Sequence, residues 1–343
     1  MAYTTVDKST LHFNTKLHTG NGAEQAITGV GFQPDFTWIK KRNATAVHYL
    51  FDAVRGATYF LNSDQNYAQQ DNAQSLKSFD SDGFTLGTMS GANNNSDTFV
   101  SWNWKAGTGQ GSSNTDGSIN TTYTSTNTTA GFSISQYTGT GSTSTIGHGL
   151  GAVPKFMLIK NLTDASTDWI VYHHSLGNAS VFHLNTTDNE QAASGVFNGT
   201  TPTSSLITLG TDSKSNGSSK NYICYAFAEK TGFSKFSTYA GNNNSDGTFV
   251  YTGFKPAFVL KKRNTAGASW SLIDNKRPGY NETDKYLLPD TNAADQSTAV
   301  DILSNGFKLR TSAGNQNAAS TYYYAAFAEA PLVGSNNVPC TAR

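Results

Sequence analysis

Apolar residues along this chain fall in short runs of four to eight, set between clusters of Gly, Asn, Asp and Ser. Val, Ile, Thr, Tyr and Phe dominate the runs, which is the signature of strands rather than helices. Some runs alternate. Others, such as Tyr222-Ile223-Cys224-Tyr225-Ala226-Phe227-Ala228 and Tyr322 to Phe327, are apolar at successive positions. A strand with two apolar faces lies in the middle of a sheet covered on both sides. Asp82-Gly83 and Asn305-Gly306 precede Phe-x-Leu words and predict hairpin turns. The second repeat of the pattern has Ser204-Ser205 there, so its turn should differ. The one helix candidate, 66–78, has a poor apolar face.

The order of landmarks recurs three times. An aromatic or His opens a Gly-rich turn at His18, Tyr137 and Tyr239, and a proline follows 16 or 17 residues later, at Pro34, Pro154 and Pro256. Each proline leads an apolar run, as in Asp35-Phe36-Thr37-Trp38-Ile39-Lys40. An aromatic comes 14 or 15 residues after it, at Tyr49, Trp169 and Trp270. A leucine then stands 18 residues before a closing aromatic: Leu86 to Trp104, Leu209 to Phe227, Leu309 to Phe327. Constant spacing through divergent sequence predicts one structural unit used three times. The fold expected is all-β, with three tandem β-sandwich (jelly-roll-like) repeats of about 90–105 residues each. The expected boundaries are an N-terminal arm 1–10, repeats 11–106, 131–234 and 235–332, a Gly/Ser/Thr/Asn-rich flexible linker 107–130, and a C-terminal tail 333–343. The second and third repeats adjoin and should pack together. Three covalent repeats can form a pseudo-threefold unit in one chain.

Composition narrows the function. Lys+Arg and Asp+Glu are 24 each in 343 residues, and charged residues are 14%. A neutral chain lacks the basic excess that grips nucleic acid. No apolar run is long enough to span a membrane as a helix, and Met1 is followed by polar residues with no apolar core of a signal peptide. Ser, Thr and Asn number 112. With 20 Phe, 16 Tyr and 5 Trp, however, the chain has ample core material and is not disordered. Cys224 and Cys340 are too few for a disulfide framework.

Little catalytic chemistry stands out. No nucleophile elbow, P-loop, dinucleotide fingerprint or Cys-x-x-Cys is present. The seven histidines form no zinc-helix motif; His173-His174 with His183 is a weak metal candidate, because neighbours on a strand face opposite ways. No metal and no cofactor is expected. Asp80-Ser81-Asp82-Gly83 starts like a calcium loop but reads better as a hairpin turn. The polar runs Asn93–Asp97 and Asn242–Asp246 fall at different phases of the repeat. Lys40-Lys41-Arg42-Asn43 recurs as Lys261-Lys262-Arg263-Asn264, and such cations are expected to keep strand ends soluble. Asp52-x-x-Arg55-Gly56 recurs as Asp274-x-x-Arg277-Pro278-Gly279, where the second repeat has Tyr172-His173-His174. An Asp–Arg pair pinning a loop is the favoured reading. The candidate ligand-binding residues are Asp52, Arg55, Asp274 and Arg277, with Trp169 and Trp270.

The segments 31–40, Leu50-Phe51-Asp52-Ala53-Val54-Arg55-Gly56, Ser78-Phe79-Asp80-Ser81-Asp82-Gly83-Phe84, 147–155, 249–256 and Asp301-Ile302-Leu303-Ser304-Asn305-Gly306-Phe307-Lys308-Leu309-Arg310 share a wording. It resembles that of a family of virion proteins common in marine bacteriophages. The resemblance implies a tail-fibre or tail-associated structural protein on the particle exterior, made in the host cytoplasm, and not an enzyme. The partners it implies are other virion proteins and a host surface glycan, with no nucleic acid and no membrane, in a homo-oligomer such as a trimer. A capsid decoration or connector protein is the alternative, and a polysaccharide depolymerase a minor one.

Overall fold

The computed structural model describes residues 4–265, 267–277, 281 and 283–331. It is all-β, with antiparallel sheets and none closed into a barrel. The first repeat holds β1 (Phe13–Thr19), β2 (Gln25–Thr28), β3 (Phe36–Lys41), β4 (Tyr49–Asp52), β5 (Tyr59–Leu61), β6 (Gln70–Asp71), β7 (Leu76–Asp80), β8 (Gly83–Leu86) and β9 (Thr98–Trp104). The second holds β10 (Tyr123–Asn127), β11 (Phe132–Thr138), β12 (Ser144–Gly147), β13 (Phe156–Asn161), β14 (Ile170–His173), β15 (Ser180–His183), β16 (Gln191–Ala192), β17 (Leu206–Leu209) and β18 (Asn221–Phe227). The third holds β19 (Ser234–Ala240), β20 (Phe249–Tyr251), β21 (Phe254–Arg263), β22 (Ser271–Asp274), β23 (Thr283–Tyr286), β24 (Gln296–Leu303), β25 (Gly306–Leu309) and β26 (Thr321–Pro331).

Each repeat is a two-sheet sandwich. The larger sheets run β1-β9-β3-β4-β5-β6, β10-β11-β18-β13-β14-β15-β16 and β19-β26-β21-β22; the smaller ones are β2-β8-β7, β12-β17 and β20-β25-β24-β23. The closing strand of every repeat lies between its opening strand and the strand after the proline. The ladder fixes the equivalence: Phe36 faces Trp104, Phe156 faces Phe227 and Phe258 faces Phe327.

The closing strands are apolar on both faces because both faces are covered. In β9, Phe99 points into its own sandwich, whereas Val100, Trp102 and Trp104 point the other way. In β18, Tyr222, Cys224 and Ala226 enter the sandwich, and Ile223, Tyr225 and Phe227 face out of it. That second face meets the other two repeats. Trp104, Phe227 and Phe327 form a triangle with ring centroids 5.4–6.5 Å apart. Phe13, Phe36, Phe156 and Phe258 surround it, mostly edge-to-face or tilted, the geometries that aromatic quadrupoles favour. The larger sheets thus enclose one shared core around a pseudo-threefold axis. A void on the axis, lined by Phe36, Trp104, Phe227, Phe327 and their neighbours, is about 10 Å³, marginal for even one water, so the centre is packing and not a channel.

Two expectations change. The stretch 107–130 is not a free linker. Asp35 collects the backbone N–H groups of Ala106, Thr108 and Gly109 at 2.6–3.0 Å, Ser112 bridges Thr124, Ile119 bridges Ile146, and β10 extends the second repeat's sheet. Its hydroxyls and amides serve as hydrogen-bonding groups within the fold: Asn114 and Thr121 bond each other through backbone and side chain. The 66–78 stretch gives strand β6 and the start of β7, not a helix, consistent with its lack of an apolar stripe. The glycines of the Asx-Gly pairs are needed for close approach: a Cβ on Gly83 or Gly306 would fall about 2 Å from the carbonyl of Ile27 or Val250 on the adjoining strand. As expected, the second repeat differs here. The hairpins β7–β8 and β24–β25 have no counterpart; a short helix α1 (Ser194–Phe197) and a loop lead into β17. The tail 333–343, Pro278-Gly279 and residues 1–3 of the arm lie outside the described residues.

Candidate functional site: latches between the repeats

The six candidate ligand residues are all buried, and none presents a surface to an external molecule. Their polar groups meet protein instead, and Asp52, Asp274, Trp169 and Trp270 each also bond across a repeat boundary. Asp52 Oδ1 accepts the Arg55 N–H at 2.8 Å. Its Oδ2 accepts Arg55 Nε–H and, at 2.6 Å, the hydroxyl of Tyr225 from the second repeat. Arg55 also donates to Leu50 O at 2.9 Å. The third repeat repeats this. Asp274 accepts the Arg277 N–H at 2.9 Å and Nε–H at 2.6 Å, and also Trp102 Nε1–H of the first repeat at 3.1 Å. In the second repeat His173 stands at the aspartate position, and its Nε2 meets Tyr324 O of the third repeat at 3.2 Å. The contacts run one way round the axis: first to second, second to third, third to first.

Trp169 and Trp270 form a second ring of latches. Trp169 Nε1–H donates to Asn62 O of the first repeat at 2.8 Å, and Trp270 Nε1–H to His183 O of the second at 2.9 Å. Counting back from Asp52, His173 and Asp274 makes their equivalent His48, not Tyr49. His48 Nδ1 accepts Trp38 Nε1–H at 2.9 Å, which leaves Nε2–H to donate to Leu288 O of the third repeat at 3.1 Å. The landmark aromatic of the first repeat was therefore displaced by one residue in the sequence reading, because an imidazole can replace the indole N–H.

Lysines make a third recurring set, of which Lys40 and Lys160 reach across a boundary and Lys262 bonds within its own repeat. Lys40, Lys160 and Lys262 each stand six residues after the proline and are buried, so the expected solvated strand ends are not what these cations provide. Lys40 Nζ donates to Lys41 O at 2.9 Å and Asn292 O of the third repeat at 3.3 Å. Lys160 Nζ donates to Thr167 O at 2.8 Å and Asn66 O of the first repeat at 3.4 Å, and Lys262 Nζ to Ala268 O. Burial pulls all three down to about 8. Arg42 is paired with Asp295 of the third repeat at 3.2 Å. The shared sequence words thus align one residue out of register: Lys261 is the counterpart of Ile39 and Ile159, not of Lys40.

The sequence reading missed a triad of buried asparagines, Asn93, Asn216 and Asn317. Each amide N–H₂ donates to two loop carbonyls at 2.6–2.9 Å. Each Oδ1 accepts the N–H of Asn21, Thr140 or Asn242 at 2.9–3.1 Å. The signal was present: each lies seven or eight residues after the landmark leucine. The opening residues His18, Tyr137 and Tyr239 reach the carbonyl just before these asparagines at 3.3, 2.6 and 2.7 Å, and stack on Phe99, Tyr222 and Tyr322 at 4.8–5.2 Å.

The remaining candidates are also placed. Asp80-Ser81-Asp82-Gly83 is the β7–β8 turn, with the Asp82 carboxylate bound to the N–H groups of Gly29 and Gly31. His183 Nδ1 stands 3.7 Å from Asp168. Among the described residues there is no group of three or more His, Cys, Asp or Glu placed to hold an ion. An open groove of about 380 Å³ runs along the edge strand β1 beside the third repeat, lined by Asn14, Thr15, Lys16, Leu17, Gly29 and Lys276.

Burial holds these histidines neutral. His173 donates from Nε2 and accepts the Ser175 N–H at Nδ1, and desolvation pushes it down to about 4. Between about 4 and 6.5 the unfolded chain then binds more protons at this site than the folded one, so its contribution to stability falls as pH falls. Asp35, Asp64 and Asp290 are raised by burial and act with the opposite sign over part of this window. The expected result is therefore a difference. From pH 6.5 to 4, urea-measured stability of the parent should fall relative to His173→Asn by up to about 3 kcal/mol. A constant difference between the two proteins would show that His173 does not titrate this way.

The fold and its latches define an all-β, single-chain pseudo-trimer whose chemically distinctive buried groups hold the repeats together. Residues 8–331 match the family described as a domain of unknown function, DUF7483, and the chain belongs to that family. No functionally curated protein matches it.

Proposed function

We propose that the chain is a bacteriophage virion structural protein, a non-enzymatic tail-fibre or tail-associated component that contacts the host cell surface. One observation carries most of the weight: the three repeats share one aromatic axis, so a single chain presents the threefold arrangement that a fibre tip otherwise builds from three chains. The segments that resemble marine phage virion proteins supply the setting. The chemistry fits a binding and structural role, because the aspartates of the Asp–Arg pairs and the tryptophans are spent on latching the repeats, and the asparagines that recur with the repeat are spent on pinning loops within each one. Such a body is preorganised, and loops on a rigid scaffold lose little entropy on binding a surface.

Quantitative mass spectrometry of purified virions of a phage encoding the chain tests this reading. A few to a few dozen copies per particle, far below the major capsid protein, are expected. A ratio near one per capsid subunit would make it a decoration protein, and absence from particles would remove the virion reading.

A further inference from the structure

The smaller sheet of the third repeat differs from its two counterparts on the outward side. Its edge strand β20 alternates exposed, buried, exposed: Phe249 is 45% exposed, Val250 5% and Tyr251 57%. Phe249 and Tyr251 therefore share one outward face, two residues apart. Two rings side by side in water need a reason, since burying such a ring is ordinarily worth about 1.5–3 kcal/mol.

The other repeats serve as internal controls. Val250 faces Phe307, as Ile27 faces Phe84 and Ile146 faces Ile207. Phe249 and Tyr251 thus correspond to Ala26 and Thr28 in the first repeat and to Thr145 and Gly147 in the second. In the second repeat this edge is covered: Ile119 bridges Ile146, and Ser118 bonds Thr145. In the first it carries no ring. Folding the unit does not require aromatics here. Cross-strand cover of a glycine is a structural use for such a ring, and Phe249 does lean over Gly306, its ring 3.2 Å from where a Cβ would stand. That accounts for the tilt of one ring and leaves both about half open.

The surroundings select the occupant. Lys308, opposite Phe249, is paired with Asp246 at 2.6 Å, and Arg310 lies 3.5 Å from Asp246 and 3.6 Å from Asp301. Two cations and two carboxylates cancel, so the face has no field to gather a polyanion. The exposed parts of the two rings amount to roughly 200 Å², far short of the roughly 800 Å² per partner of a stable protein interface. Gly306, opposite Tyr251, has no side chain, and the polar Ser304-Asn305 turn lies next to that strand end, with Asn305 O accepting the N–H groups of Thr252 and Gly253. Flat rings, balanced charge and flanking polar groups suit a sugar. The weakly positive C–H face of a pyranose meets the negative face of an aromatic ring, while its hydroxyls remain free for hydrogen bonds.

We propose that Phe249 and Tyr251 form a stacking platform for pyranose units of a neutral polysaccharide. The proposal rests on the host-surface reading above and names its ligand class. Affinity electrophoresis of the full chain in native gels containing dextran, mannan, laminarin or alginate tests it. Retardation is expected in at least one of the three neutral gels and should be abolished by Phe249→Ala/Tyr251→Ala. Adding the rings to the first repeat, with Ala26→Phe/Thr28→Tyr, should strengthen retardation, which keeps the test decisive if the first variant folds poorly. No retardation in any neutral gel, equal retardation of a folded double alanine variant, or retardation in alginate alone would overturn the proposal. So would a dimer in sedimentation that the alanine variant breaks, since the face would then be a self-association surface. The copy-number measurement is independent: a tail-located chain that no neutral glycan retards sinks the platform alone, and a retarded chain absent from particles sinks the virion reading alone.

Discussion

Asp52→Ala should lower the unfolding free energy by about 3–5 kcal/mol, the usual result of removing one partner from a buried ion pair. The Arg55 and Asp52 side chains are 1% and 0% exposed, so no water can replace the carboxylate without opening the boundary between the first and second repeats. Two groups lose their carboxylate at once: the Arg55 guanidinium, left with Leu50 O and a 3.4 Å bond to the Tyr225 oxygen, and the Tyr225 hydroxyl, whose acceptor is gone. Urea unfolding followed by tryptophan fluorescence reads the loss well, because all five tryptophans are buried. Adding Arg55→Met to Asp52→Ala should recover part of the stability, since it removes the stranded charge. A loss below about 1 kcal/mol would mean that the pair is no latch. Asp52→Asn separates the structural role from ligand binding: it should weaken the fold and leave glycan retardation unchanged while the protein remains folded.

The legible part of this fold was what spacing encodes. The prolines, the leucine-to-aromatic interval and the opening aromatics gave the three units and their strand classes. The closing aromatics, noted only as punctuation, proved to be the centre of the molecule. What spacing cannot encode is which face of a two-faced strand meets which partner. Trp102, Tyr225 and Ala325 occupy equivalent positions, and nothing in their identities says that two of them receive or make bonds across repeats. Asp52 and Asp274 were correctly picked out as pairs. Their third partner was hidden because the second repeat solves the same task with His173. The 107–130 stretch was misjudged on composition. Ser, Thr and Gly make a flexible chain in solution, but beside a free sheet edge their backbone and hydroxyl groups pair with it. The outward rings Phe249 and Tyr251 could have been found by aligning the repeats residue by residue, a step that needs the ladder register to be reliable.

Lys261 breaks the repeat in the opposite sense. It occupies the inward position of Ile39 and Ile159, is fully buried, and its ammonium has no hydrogen-bond partner among the described residues. Desolvation alone pulls it down to about 7. A base depressed in the folded state costs stability wherever the unfolded chain holds the proton, and that cost changes with pH only where the folded chain has already lost it. The cost is therefore full below about pH 7 and is recovered as pH rises toward 10.5. At pH 7 it has a ceiling of about 4 kcal/mol, before any relaxation or water entry reduces it. Lys261→Met keeps the length of the stem and removes the charge, and should stabilise the protein by roughly 2–4 kcal/mol at pH 7. The gain should shrink with rising pH, because the parent recovers what the variant never lost. Lys40, Lys160 and Lys262 keep their own alkaline dependence in both proteins, so the slopes should differ by at most one proton, about 1.4 kcal/mol per pH unit. Urea unfolding of the two proteins across pH 7 to 9.5 measures it. A variant no more stable than the parent, with a parallel pH profile, would mean that Lys261 is paired or solvated. A more stable variant would identify the lysine as a cost carried by the third repeat alone, the same repeat that carries the exposed rings.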